Sequence, residues 1–459
     1  MNERAQRPEL DPAWLGQRLP GGFVLGTATA AYQVEGAVDD DGRTPSVWDT
    51  FCGVPGAIVD ASTGEVASDH YRRRADDLRL LGRLGAPAHR FSVAWSRVQP
   101  GGRGPVNVAG LDHYDRFVDG LLEVGVRPVV TLLHRDLPQG LEDDGGWLNR
   151  ATIDRFAEYA AIVGERLADR VGDWIPVDQP NVVTRSGYVV GTEAPGRQLG
   201  LDAIVVAHHL LVAHGRAAIA LRAAGALSVG CATNHAPVWP ASDDPADVGA
   251  AKLYDLLWNG HYLEGMLLGR YSPDLELLCE DVIRDGDLAT MRQPLDFYGI
   301  TYDHPLRVAA AAEDAPLPVE QRLVLGHPFT DADRPVVPEA LREFLIMMRA
   351  RFRAAVPPIV VTGLTPAYAT GPDAAGHVDD APRIEYLAAH LRAVAEAAQR
   401  GVDVRGVYVP LLDGFEWADG MSQRTGLVHV DHATGERTPK ASFAWVAEVA
   451  AALAERPVE

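Results

Sequence analysis

The stretch Val171–Gly187, VGDWIPVDQPNVVTRSG, decides how the rest of the chain is read. Its first half predicts a short buried strand that ends at Asp178, Gln179 and Pro180. Two further stretches have the same character, HRFSVAW from His89 to Trp95 and PIVVTGLTPAY from Pro358 to Tyr368. Each is an apolar run that gives way to polar or glycine-containing sequence, as a strand does where it opens into a site.

Working outward, short apolar runs alternate with longer amphipathic ones from end to end. The strands are predicted at Phe23–Thr29, Ala88–Val93, Pro128–His134, Trp174–Asp178, Leu227–Thr233, Leu295–Thr301, Pro358–Thr362 and Val404–Leu412. Between them lie helices predicted at Asp69–Leu84, Gly110–Val124, Ala151–Ala168 and Leu201–Ala224, and one between Pro245 and Leu268. Others follow around Pro338–Phe352, at Arg383–Arg400 and at Lys440–Ala454. Leu78, Leu81 and Leu84 have helical spacing, and Gly85 stops that helix.

Eight strand–helix units in series make the pattern of an α/β protein, a (β/α)8 TIM barrel. The rival is a doubly wound open sheet, but no G-x-G-x-x-G follows the first strand. The expected organisation is a single barrel domain over residues 1–459, with a long loop at about 303–337 between strands six and seven. Its core, Asp303–Asp333, is rich in Ala and Pro and weakly periodic.

Composition bounds the partners. The chain has 459 residues, 47% of them hydrophobic and 23% charged, which is ordinary for a globular protein. Its net charge of −21 argues against nucleic acid and anionic membrane as partners. Only Lys252 and Lys440 are lysines, a skew attributed to codon bias. Cys52, Cys231 and Cys279 are far apart and in no metal spacing, so buried free thiols are expected. The polar start MNERAQRPELDP has no apolar signal core, and no run is judged to approach the ~18 apolar residues of a membrane span. A cytoplasmic protein is expected.

In a barrel of this kind chemistry sits where strands end. That rule selects Gln33, Arg90, His134, Asp178 with Gln179, Asn234, Tyr302 with Asp303, Gly363, and Asp413 with Glu416. For any one of these a satisfied structural polar group is the commoner role; the convergence of the set carries the weight.

The same stretches resemble glycoside hydrolase family 1, the β-glucosidase family, over nearly the whole chain. TATAAYQVEGA (Thr27–Ala37), RFSVAWSRV, VNVAGLDHYDRFVDGLLEVGVRPVVTLLH, GGWLNRATIDRFAEYA, LLDGFEW and TGLVHVDHATGERTPKAS occur in family order. The resemblance implies two glutamates about 5–5.5 Å apart, one a proton donor and one a nucleophile. The acid/base block, usually N-E-P, reads Asp178, Gln179, Pro180; the nucleophile block, usually T-E-N-G, reads Thr362, Gly363, Leu364, Thr365. An amide does not release a proton near neutral pH, and glycine has no side chain. On this reading covalent retaining hydrolysis by the family route is absent or very weak.

The surroundings depart as well. The family's histidine-tryptophan-aspartate triplet reads His134, Arg135, Asp136, and its asparagine-tyrosine-tyrosine reads Thr301, Tyr302, Asp303. The tryptophan that floors the sugar site is Val409, and Gly414 replaces an asparagine; loss of that ring and of the nucleophile side chain at Gly363 together predicts a wider pocket, for something bulkier than glucose. Gln33, Glu416 and Trp417 persist at sugar-binding positions. Arg90 persists too, and an internal aspartate, Asp303 or Asp178, is expected to pair with it.

The expected ligand-binding set is Gln33, Arg90, His134, Arg135, Asp178, Gln179, Tyr302, Glu416 and Trp417. No catalytic residue is assigned; His134, Asp178 and Asp303 are the acid/base candidates, with His134 the best proton carrier by its ordinary pKa. Three functions are weighed. The first is altered acid/base chemistry (elimination, cyclisation, epimerisation or inverting hydrolysis) on a sugar-bearing or polyhydroxylated small molecule. The second is a non-catalytic pseudo-glycosidase that binds such a ligand. The third is residual β-glycosidase activity through an unusual carboxylate. No metal or cofactor is implied; His208 and His209 sit adjacent on a helix and point to different faces.

Overall fold

The structure, a computed structural model, describes residues 7–315 and 317–456. The first half of the polar amino-terminal stretch and Pro316 of the long loop lie outside the described residues. Eight parallel strands close a barrel in chain order: Val24–Thr29, Ala88–Ser92, Arg127–His134, Asp173–Asp178, Cys231–Asn234, Tyr298–Tyr302, Ile359–Leu364 and Val404–Pro410. The first strand pairs with the eighth, so the sheet has no free edge.

Register sets which side chains meet at one height. His134 lies opposite Asp178, Asp178 opposite Ala232, and Gly363 opposite Thr301. The seventh strand slips register between Val361 and Gly363, a local irregularity at the mouth. Inside the barrel, Ala28, Ala88, Val129, Ile175, Ala232, Phe297 and Tyr408 pack as one cluster. Two large rings among small residues fill the space. Gly26 is required by that packing, because a Cβ there would lie 2.5 Å from the Tyr408 ring.

Outside the strands, amphipathic helices bury their apolar stripes. Ala151–Leu167 buries Ile153, Phe156, Tyr159, Ala160, Val163 and Leu167 at helical spacing. The helix His70–Leu84 ends at Gly85 in the left-handed conformation, as its sequence predicts.

Four features differ from the sequence reading. The fifth strand begins at Cys231; Leu227, its expected start, is 87% exposed. The sixth is Tyr298–Tyr302. The Asp303–Asp333 region is not a structureless loop: Leu306–Ala310 and Val319–Arg322 pair with each other, and Val238–Pro240 pairs with the first of them, making a three-stranded sheet. Finally, Gly200–Ala223 is long and apolar enough to cross a membrane, where the sequence reading expects no such run. It is mostly buried and packs on Ala151–Leu167 as a core helix.

Candidate active site

The carboxyl ends of the strands surround a cavity of about 290 Å3. Gln33, Arg90, His134, Arg135, Gln179, Asn234, Asp303, Gly363, Glu416 and Trp417 all line it, so nearly the whole expected set converges.

On one side, the short helix Ala31–Val34 carries Gln33, whose Nε2 donates to Glu416 Oε2 at 3.0 Å. Thr425 Oγ1 donates to the other Glu416 oxygen at 2.5 Å. Burial holds the Glu416 carboxyl above its ordinary pKa, against Thr425 and Arg334. Trp417, at a φ of 55°, stands beside it with its ring centroid 4.9 Å from that of Trp48.

Behind the mouth lies a buried charge pair. Arg90 Nη1 donates to Asp178 Oδ2, and the two residues are 5% and 0% exposed. The expectation that an internal aspartate neutralises Arg90 is met by Asp178. Burial pushes Asp178 up, but Arg90 and His134 hold it below the usual carboxylate range. His134 Nε2 is 3.5 Å from the same oxygen. Burial drives His134 down to about 3, with Arg90 and Arg135 adding to the effect and Asp178 opposing it. That direction disfavours the imidazolium and weighs against His134 as the best proton carrier. Asp178 does not line the cavity, and its charge is committed to Arg90, which corrects its place among ligand-binding and acid/base candidates.

At the end of strand four, Gln179 sits in the left-handed region at φ 53°. Its Oε1 accepts from Arg135 Nη2 at 2.5 Å, while its Nε2 lies 3.4 Å from His134 Nε2. Arg135 also reaches both oxygens of Glu193 at 3.3 Å and lies 4.9 Å over the Trp417 ring. Glu193, half-buried at the rim, is raised in pKa by desolvation, with Arg135 opposing.

Across the mouth, Gly363 presents no side chain, and a Cβ there would meet Thr301 Cγ2 at 3.2 Å. Asp303 stands nearby. It accepts from Asn234 Nδ2 at 2.7 Å and Thr365 Oγ1 at 2.8 Å, with Arg334 Nη1 at 3.5 Å. Burial raises its pKa, and Arg334 with these hydrogen bonds brings it below its ordinary value. Asp303 is therefore an ionised, triply engaged carboxylate.

Tyr302 does not belong to the site. Its hydroxyl donates to the Val337 carbonyl at 2.7 Å, wholly buried outside the barrel, because neighbouring residues on a strand face opposite ways. Val409 likewise packs outward in the main core, and Tyr408 and Pro410 line the cavity instead. Of the two positions expected to widen the pocket, Gly363 lines the cavity and Val409 does not.

The sequence reading missed Glu193, Arg334, Thr365 and Thr425. Arg334 comes from the long loop and carries no periodic signal; Thr425 lies in the TGLVHV block, close enough in sequence to LLDGFEW to serve as a signal. His208 contacts Asp287 at 2.9 Å and His209 the Trp147 carbonyl at 2.8 Å, so the two turn to different partners.

The closed barrel gathers Gln33, Glu416, Trp417 and His134 around one cavity at its mouth. Comparison with known proteins identifies the class. The sequence model of glycosyl hydrolase family 1 matches residues 15–454, and the chain belongs to that family. It is 42% identical to the thermostable beta-glucosidase B of Thermobispora bispora, over 94% of this chain and 90% of that protein. It is 38% identical to the beta-glucosidase of Agrobacterium sp. (strain ATCC 21400), over 96% and 97%. Among solved structures, virulence factor SghA from Agrobacterium tumefaciens superposes with a TM-score of 0.92 at 38% identity, covering 96% of this chain and 99% of that one. SghA has also been solved with its substrate analog salicin.

Proposed function

We propose that this family 1 barrel binds a sugar-bearing or polyhydroxylated small molecule in its mouth and does not carry out retaining hydrolysis by the two-glutamate route. The observation that carries this is the pair of strand ends at Gln179 and Gly363. One presents an amide fixed by Arg135 and the other a bare backbone. Neither donates a proton or attacks an anomeric carbon. The retained Gln33–Glu416 pair, together with the salicin complex of SghA, supports a sugar-like ligand.

A second reading is proton-transfer chemistry without a nucleophile, such as elimination, cyclisation or epimerisation. It is favoured by Glu193 and Glu416, both lining the cavity and both held above their ordinary pKa by burial. These two, and not His134, would carry the proton. Conventional hydrolysis is the rival supported by relatives of 36–42% identity named beta-glucosidases.

Melting curves with methyl β-D-glucoside and with salicin, alongside turnover of 4-nitrophenyl β-D-glucoside, test the proposal. A ligand that binds the folded state raises Tm. The expected result is a rise in Tm that is lost in Glu416→Ala, with no turnover above the uncatalysed rate. Turnover on the order of 1–10³ per second, the usual enzymatic range, would overturn it.

A further inference from the structure

Two side chains at the mouth are engaged in ways that bear on both strand-end positions. Arg135 donates to Gln179 Oε1 at 2.5 Å and holds Glu193 at 3.3 Å. A carboxylate put in place of the Gln179 amide would sit against that guanidinium. The new carboxylate would share Arg135 with Glu193, but at 2.5 Å against 3.3 Å it takes the closer contact; an opposite charge that near favours its ionised form, so the group would be held without the proton it must donate.

Asp178 poses the matching problem for position 363. It is fully buried and takes the Arg90 guanidinium, while Arg90 Nε and Asp178 Oδ1 have no hydrogen-bond partner among the described residues. Arg90 lines the same cavity as Gly363. A carboxylate at 363 reaching for Arg90 would have to share it with Asp178, and two carboxylates in one site disfavour ionisation of one of them.

We propose that Arg135 and Asp178 are positioning residues that hold the mouth in a non-hydrolytic arrangement, Arg135 by fixing the Gln179 amide and Asp178 by occupying Arg90. This rests on the reading that positions 179 and 363 are the two hydrolytic stations. It adds that refilling those stations is not sufficient to restore hydrolysis.

The test is a set of four variants: Gln179→Glu with Gly363→Glu; that pair with Arg135→Trp; the pair with Asp178→Asn; and all four changes together. Each is assayed on 4-nitrophenyl β-D-glucoside across pH. The two-site variant should stay within about tenfold of the unmodified chain, and the four-site variant should exceed it by at least ~100-fold, the scale of general acid catalysis. The three-site variant that includes Asp178→Asn but keeps Arg135 should lose activity at a lower pH on the basic limb than the four-site variant does. A two-site variant as active as the four-site variant, a basic limb that does not move, or a folded but inactive four-site variant would overturn the proposal. Hydrolysis by the unmodified chain would instead overturn the functional reading on which it rests.

Should the four-site variant fail to fold, melting of Asp178→Asn, Gly363→Glu and the double variant decides. The double variant should melt above Asp178→Asn alone, because the new glutamate takes up Arg90. Simple addition of the two losses would overturn the role of Asp178.

Discussion

Replacing Asp178 with asparagine removes the carboxylate that neutralises Arg90 while keeping the shape of the side chain. Both partners are almost fully buried, Arg90 at 5% and Asp178 at 0% exposure. Deleting one member of a buried pair strands the other charge, at a cost of about 3–5 kcal/mol. The neighbouring groups offer no compensation: His134 supplies no negative charge, and Asp303 is engaged by Asn234, Thr365 and Arg334. Asparagine keeps one oxygen that accepts from Arg90, so the lower end, ~3 kcal/mol, is the expected loss. Urea unfolding followed by tryptophan fluorescence measures it as a fall in midpoint at unchanged slope. The double variant Arg90→Leu with Asp178→Leu removes both charges and should lose less than Asp178→Asn alone, because no charge is left stranded. A loss below about 1 kcal/mol in Asp178→Asn, the scale of a surface pair, would refute the assignment of Asp178 as the counterion of Arg90.

Acid should destabilise the fold through its buried histidines. His89, His134 and His261 are pushed down to about 3, and His214, His235 and His390 to about 4, each chiefly by burial. Below about pH 6.5 the unfolded chain takes up protons that the folded chain refuses. Stability therefore falls as pH drops from 7.5 to 5.5, by on the order of 1 kcal/mol per histidine. Urea midpoints over that range should decline; a flat profile would contradict the histidine environments. Tyr302→Phe should cost about 1 kcal/mol through the lost bond to the Val337 carbonyl and leave the ligand-induced rise in Tm unchanged. Loss of that rise would return Tyr302 to the site.

The barrel is legible in the sequence because eight apolar runs alternate with amphipathic ones, and polar termini such as His134, Asp178 and Asn234 mark the mouth. The folding of the long loop is not. Val319–Arg322 is mostly exposed, and its partners lie at Leu306–Ala310, so no local alternation betrays it. Tyr302 is misplaced when a strand terminus is treated as a point, whereas period-two alternation puts Thr301 inward and Tyr302 outward. The same oversight applies to Val409 between Tyr408 and Pro410. Charge is legible only in part. That an aspartate neutralises Arg90 follows from burial alone, but the tie of Arg135 to Gln179 and Glu193 joins residues 44 and 58 apart in the chain. The His134 environment likewise needs the packed barrel.

The most direct measurement of the central claim uses 2,4-dinitrophenyl 2-deoxy-2-fluoro-β-D-glucoside. Its leaving group departs without protonation, so the nature of residue 179 does not matter, and only a nucleophile is tested. Intact-protein mass spectrometry after prolonged incubation should show the unmodified mass alone, with no burst of dinitrophenolate. A stoichiometric fluoroglucosyl adduct on any aspartate or glutamate would contradict the account.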